Sequence, residues 1–168
     1  GIANAYLDST PLVAITGNAP SYLLGRDSFQ EVDIMGITMP ITKHNYIVKN
    51  VSELADIIRE AFQIASSGRP GPVLVDIPKD IQIMKCEFTP LPGEKSSFLS
   101  EPSDKEISDA LEIITNSKKP YIYCGGGVVL SDAGKEIEEL SRRIDSPIGF
   151  SMMGLTAVPH DNPDNLEI

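Results

Sequence analysis

The chain has 168 residues, 41% hydrophobic and 23% charged, with a net charge of −10 at pH 7 and a pI near 4.6. Acidity of that size argues against a nucleic-acid partner, whose binders concentrate Lys and Arg on one face. No apolar run approaches the roughly 18–20 residues that span a bilayer, so the expectation is a soluble globular protein without membrane attachment.

The opening GIANAYLDST carries neither an initiator Met nor the basic start of a secretory signal, and reads as the end of a helix already in progress. PLVAIT, residues 11–16, is a short apolar run stopping at Gly17, the pattern of a buried parallel strand. After the loop GNAPSYLLGRDS a short helix is expected around Val32, Met35 and Gly36, and TKHNYIV then reads as a strand with Lys43 and His44 at its start. From Val51 to Ser66 the apolar residues Val51, Leu54, Ile58, Ala61 and Ala65 recur at helical steps, while the intervening Glu, Asp and Arg form a solvated face. Asn50 is positioned to cap this helix, with Glu53 three residues on, and Gly68 and Pro70 end it. PVLVDI is the next buried strand, and its Asp76 needs a partner if enclosed.

Between Lys85 and Pro102 the sequence turns to Pro, Ser and Gly without a period, which predicts a linker over 85–102. Ser103 and Glu106 make a capping box for a helix with Ile107, Ala110, Leu111 and Ile114 facing inward. PYIYC is then a strand, Gly125–Gly127 a turn, Ser131–Ile144 a helix with Ile137, Leu140 and Ile144 inward, and SPIGFS a strand. This β-α-β order predicts the start of a doubly wound unit. Two strands do not bury both faces of a sheet, so an incomplete unit is expected, and with it a fragment at both ends.

Cys86 and Cys124 lie far apart with no CxxC spacing and no His cluster, which predicts neither a disulfide framework nor a metal site, and a reducing cytoplasm or organelle matrix as location. Lys79 follows a strand at the end where open α/β sheets gather active groups. It is a candidate for holding a substrate carboxylate, against the commoner case of a solvated loop lysine. Phe29 and Gln30, with Glu31, sit in a polar loop after a strand, where a ring and an amide suit a flat cofactor; the competing reading is a plug and a helix cap. The glycine run suits a backbone approach to a pyrophosphate, but Leu130 stands where a third spaced glycine belongs. No acidic ribose-binding residue stands at a strand end about 20 residues on, Asp145 coming before the strand, so a dehydrogenase is poorly supported. His44 and His160 have no nucleophile or carboxylate at a telling spacing and read as structural or surface residues.

In order and spacing, ITGNAP, DSFQEVD, TKHNYIV and GRPGPVLVDIPKD, followed more thinly by SKKPYIYCGGG and SMMGLTAVP, resemble the interior of acetohydroxyacid synthase (acetolactate synthase) large catalytic subunits. The resemblance implies an α/β fold: an incomplete pyrimidine-binding-type parallel sheet at 1–84, then the first part of a doubly wound, FAD-associated central domain at 103–168. It implies an enzyme that decarboxylates pyruvate on thiamine diphosphate and joins it to pyruvate or 2-oxobutyrate, in branched-chain amino-acid biosynthesis. Thiamine diphosphate, Mg²⁺ and FAD are the implied cofactors, and a homo-oligomer with a regulatory subunit the implied assembly. By motif, Gln30 and Phe29 would approach the thiamine diphosphate, and Lys79, Pro20 and Lys43 would line the substrate channel. Arg69, Gly126, Ser151, Met152 and, more weakly, Ser9 would contact FAD. Arg26 and Ser28 depart from the Thr and Ala usual in that loop. The family's activating glutamate and its Mg²⁺-binding GDG motif have no counterpart here, so the 168-residue chain is expected to be inactive alone. The competing readings are another thiamine diphosphate-dependent decarboxylase or carboligase, or a non-catalytic cofactor-binding or assembly module.

Overall fold

A computed structural model describes residues 1–90, 101–163 and 165, which fall into two compact units, Gly1–Leu99 and Ser100–Ile168. The first unit is built on a parallel sheet of three strands in the order β1-β3-β2: β1 (Leu12–Asn18), β2 (His44–Ile47) and β3 (Pro72–Pro78). The central β3 is enclosed along almost its whole length, as the run PVLVDIP requires. β1 departs from the expectation of a buried strand. It is an edge, half-buried, with Ile15 60% exposed, because no strand pairs with its outer side among the described residues.

Helix α1 (Ile2–Leu7) precedes β1, and α2 (Ile34–Thr38), capped by the Asp33 side chain on the Gly36 amide, precedes β2. Asn50 caps as expected, its side chain accepting from the Ser52 amide, but the helix opens with a 3₁₀ turn over Val51–Glu53 before α3 (Leu54–Ser66). Glu53 makes no reciprocal cap. Ala61 and Ala65 of α3 are enclosed against Val48, Val73, Val75 and Ile81, with Ile57, Ile58 and Tyr46 packed around them, so the helical stripe finds the sheet as its period predicts. Burial, and then the hydrogen bond that the hydroxyl donates to the Glu60 carboxylate, push the Tyr46 pKa up to about 12.

Lys43 ties β2 to α3. Its ammonium donates to the carbonyls of Ile64 and Ser67, the latter at 2.7 Å, and so satisfies acceptors that the helix end leaves open. The stem of Lys43 lies over Gly71, where an added Cβ would sit 3.1 Å from its Cγ and Cδ. Burial lowers the pKa of this ammonium. Lys43→Met is expected to lower stability to urea by about 1–2 kcal/mol, through acceptors left unpaired at a partly buried helix end. An unchanged unfolding midpoint would show that water replaces the ammonium.

Strand β3 runs directly into α4 (Lys79–Ile83), so Lys79 opens a short helix rather than a loop. The linker expected at 85–102 shows no helix or strand over its described residues, and its 91–100 stretch lies outside the described residues.

In the second unit, α5 (Asp104–Thr115) starts on the expected capping box, the Ser103 hydroxyl and amide both bonded to the Glu106 carboxylate and Ser103 accepting in return from the Glu106 amide. Its apolar residues do not turn inward as expected: Ile107 and Leu111 are exposed and Ile114 is half-buried. Strands β4 (Ile122–Cys124) and β5 (Ile148–Phe150) pair in parallel and enclose Cys124, Ile148 and Phe150 with Val158. The helix expected over 131–144 is two helices, α6 (Gly126–Leu130) and α7 (Gly134–Ile144). They are separated where Asp132 takes φ 55°, a left-handed conformation that ends α6. The glycine turn is thereby shortened, since α6 already starts at Gly126.

Candidate functional site

The carboxyl ends of β1 and β3, the end where open parallel sheets gather active groups, hold a cluster of polar side chains. The strands align Thr16 opposite Asp76 and Asn18 opposite Pro78. Asp76 is 0% exposed and accepts from Thr16 Oγ1 at 2.8 Å and from Asn18 Nδ2 at 2.8 Å, which supplies the partner its place in an apolar strand demands. Asn18 Nδ2 also donates to the Val32 carbonyl at 3.3 Å, and Asn18 Oδ1 accepts from the Ala19 amide at 2.8 Å. One amide thus joins two strands to the far end of the 19–33 loop.

Pro20 leads into a 3₁₀ turn over Ser21–Leu23. Asp80, beside Lys79, accepts from the Ser21 amide at 2.9 Å and the Ser21 hydroxyl at 2.5 Å. The hydroxyl first, and then the amide, hold its carboxyl below the usual aspartate value. Lys79 itself is exposed and makes no hydrogen bond or ion pair with a described residue. Pro20 and Lys79 therefore share one edge of the sheet. Lys43 does not reach it: β2 pairs His44 with Val73, six residues before Lys79, which is about 20 Å of strand. The grouping of Lys43 with Lys79 and Pro20 as one channel wall is not formed within a single chain, because Lys43 lies at the amino end of the sheet on the α3 terminus.

Phe29 and Gln30 occupy the tip of the same loop. Phe29 is 89% exposed, and Gln30 holds φ 61°. The turn is organised by Glu31, whose carboxylate accepts from the Ser28 amide at 2.9 Å, the Ser28 hydroxyl at 3.0 Å, and the Gly25 and Arg26 amides. Ser28 thus contributes a hydrogen bond that an alanine would not. The Ser28 amide, and next the Gly25 amide, lower the Glu31 pKa. A carboxylate lowered on folding stabilises above its unfolded value and loses that contribution as pH falls through the folded one. Acidification is therefore expected to release this turn below about pH 4.5, the ordinary glutamate value. The Gly25 and Ser28 amide resonances would report it, and a midpoint above the ordinary glutamate value would contradict it.

Arg69 and Ser9, sixty positions apart, meet at the other end of the unit. Arg69 Nε donates to Ser9 Oγ at 2.7 Å and Nη2 to the Leu7 carbonyl at 3.3 Å, while its remaining N–H groups bond to no described residue. That leaves part of an exposed guanidinium fork for an anionic group.

In the second unit, the carboxyl ends of β4 and β5 bring Gly126, Ser151 and Met152 together, the Ser151 amide donating to the Cys124 carbonyl at 2.9 Å. A Cβ at Gly126 would meet the Met153 Cβ at 3.1 Å, whereas one at Gly127 would meet nothing within 4 Å. Gly126 is thus held by packing, and the open backbone of the run is at Gly127. Met152, just after β5, is 82% exposed. An open glycine backbone and an exposed thioether thus both lie at the carboxyl ends of the paired strands. Among the described residues no group of three or more His, Cys, Asp and Glu side chains converges, and no helix is long and apolar enough to cross a membrane.

Asn18, Thr16 and Asp80 were not singled out by the sequence reading. The available signal was the carboxylate in an apolar strand, since a buried Asp76 requires donors, and Thr16 and Asn18 end the neighbouring strand.

Residues 107–168 match the thiamine pyrophosphate enzyme central domain. The whole chain is 45% identical, over 173 aligned residues, to an acetolactate synthase of Arthrospira platensis, covering 100% of this chain and 30% of that protein. The chain is similar along its whole length to acetolactate synthase large subunits. It is also 45% identical to the acetolactate synthase large subunit of Corynebacterium glutamicum, covering 96% of this chain and 26% of the relative. With the isozyme 1 large subunit of Escherichia coli K12 it shares 44%, covering 98% and 29%. The chain thus spans between a quarter and a third of the length of these relatives.

Proposed function

We propose that these residues form part of the catalytic and cofactor-binding machinery of an acetolactate synthase acting on pyruvate and 2-oxobutyrate in branched-chain amino-acid biosynthesis. The supporting observation is that Pro20, Lys79, which has no counter-ion among the described residues, and the base of the loop of Phe29 and Gln30 lie together at the carboxyl ends of β1 and β3. Thiamine diphosphate, when bound, supplies the electron sink that lets one 2-oxo acid lose CO₂ and join another. The chain's own share is orientation and charge. Lys79 holds the substrate carboxylate, a task suited to an ammonium without a protein counter-ion. Pro20 narrows the approach, Phe29 offers a ring face to the cofactor, and Gln30 offers an amide that donates and accepts. Arg69, with Ser9, and Gly126, Ser151 and Met152 hold FAD. Mg²⁺ is assigned to no residue here. Assembly into a homo-oligomer with a regulatory subunit belongs to the same reading, as do the two domains, pyrimidine-binding over 1–84 and central over 103–168.

Lys79→Ala, made in the full natural protein, is expected to lower kcat/KM for pyruvate by about a hundredfold, because a lost charged contact to substrate is worth about 2–3 kcal/mol. Unchanged kcat/KM would remove Lys79 from the channel. Absence of acetolactate formation by the wild-type full protein with thiamine diphosphate, Mg²⁺ and FAD would remove the reading as a whole.

A further inference from the structure

The sequence Asp76-Ile77-Pro78-Lys79-Asp80 places one carboxylate before Lys79 and one after it. Neither bonds to the lysine. Asp76 is bonded to Thr16 and Asn18, and Asp80 to both donors of Ser21. These partners sit at the near end of the loop that presents Phe29 and Gln30, and Asn18 reaches across to Val32 at its far end. We infer that Asp76 and Asp80 are positioning residues, a two-point clamp that fixes the 19–33 loop against the exit of β3 and so sets Phe29 and Gln30 relative to Lys79.

The chemistry of each point is specific. Asp80 presents two acceptor oxygens to two donors of one residue, which fixes Ser21 in place and direction. Asp76 takes one hydrogen of the Asn18 amide, which turns the other toward the Val32 carbonyl. With Asp76 occupied by the β1 donors Thr16 and Asn18 and Asp80 by Ser21, Lys79 keeps no direct partner among the described residues. The consequence for catalysis rests on the synthase reading, whereas the clamp is a property of the loop alone and has its own readout.

Arg26, exposed within the loop, supplies that readout, since trypsin cuts after it only when the loop opens. In the full natural protein, Asp80→Ala is expected to speed cleavage after Arg26 by about tenfold, the worth of a hydrogen-bonded pair. Asp80→Asn, whose amide retains one acceptor for the Ser21 N–H and a donor for its hydroxyl, should stay within about twofold of wild type. Should Asp80→Asn cleave as fast as Asp80→Ala, the carboxylate acts by charge and the clamp is wrong; wild-type rates in both sink it as well. For the other point, the exchange Asn18→Asp with Asp76→Asn rebuilds the bond between the strands but leaves no amide for Val32. It is expected to melt near the wild-type temperature while still cleaving about tenfold faster, and wild-type cleavage would refute the link to Val32. The kcat/KM for pyruvate should follow cleavage across the set, falling about tenfold in Asp80→Ala and recovering in Asp80→Asn. Faster cleavage in Asp80→Ala without any loss in an active enzyme overturns the positioning role. The same cleavage pattern in a protein with no synthase activity would leave the clamp standing and remove the functional reading.

Discussion

Asp76→Ala is expected to destabilise the first unit by about 1–3 kcal/mol, because it removes the shared acceptor of a half-buried hydroxyl and a half-buried amide. Asp76 is fully enclosed, and its donors Thr16 and Asn18 belong to the neighbouring strand. With the carboxylate gone, Thr16 Oγ1 and Asn18 Nδ2 each lose a 2.8 Å partner, and Asn18 Nδ2 keeps only its bond to the Val32 carbonyl. A cavity the size of the deleted group adds to the cost. Urea unfolding checks the figure, and a loss below about 0.5 kcal/mol would mean that water reaches the site and that the network is ornamental. Asp76→Asn is expected to cost less, since its oxygen still accepts from Thr16 while its amide opposes that of Asn18.

Gly154→Ala is expected to be comparably severe in the second unit, at about 3 kcal/mol, for a steric reason. A Cβ there would lie 2.2 Å from the Cys124 carbonyl oxygen and 2.8 Å from its carbon, so backbone must yield. Relief requires the 3₁₀ turn over Met152–Gly154, which Ser151 precedes, to leave the end of β4 and the start of α6, which carry the glycine run. Thiol labelling reports the movement. Cys86 is exposed and reacts first, whereas Cys124 is buried and burial raises its thiol pKa, which slows it twice over. Gly154→Ala should raise the Cys124 labelling rate by about tenfold or more. Labelling at the wild-type rate, with stability unchanged, would show that the turn relaxes without opening.

Local order was readable where a residue's neighbours in sequence are its neighbours in space. The period of Val51 to Ser66, the Ser103–Glu106 capping box and the apolar run of β3 all appear where residue pattern places them, since helix faces, caps and buried strands are defined by spacing within one segment. The break at Asp132 was not readable, because a left-handed aspartate leaves no mark in an otherwise helical pattern.

The candidate site divides in the same way. Its residue types, an exposed lysine after a strand, an aromatic and amide in a loop, and a glycine run, follow from sequence and from likeness to a family. Their grouping does not. Only the pairing of β1 with β3 puts Asn18 beside Asp76 and Pro20 beside Lys79, roughly sixty positions away, and only the register of β2 removes Lys43 from them to the opposite end of the sheet. The same holds for Arg69 on Ser9. Sequence by itself determined the elements, the need of Asp76 for a partner and the kinship of the chain. Tertiary structure decided which side chains meet, because strand order and register are set by burial of whole faces and have no signature in any single segment.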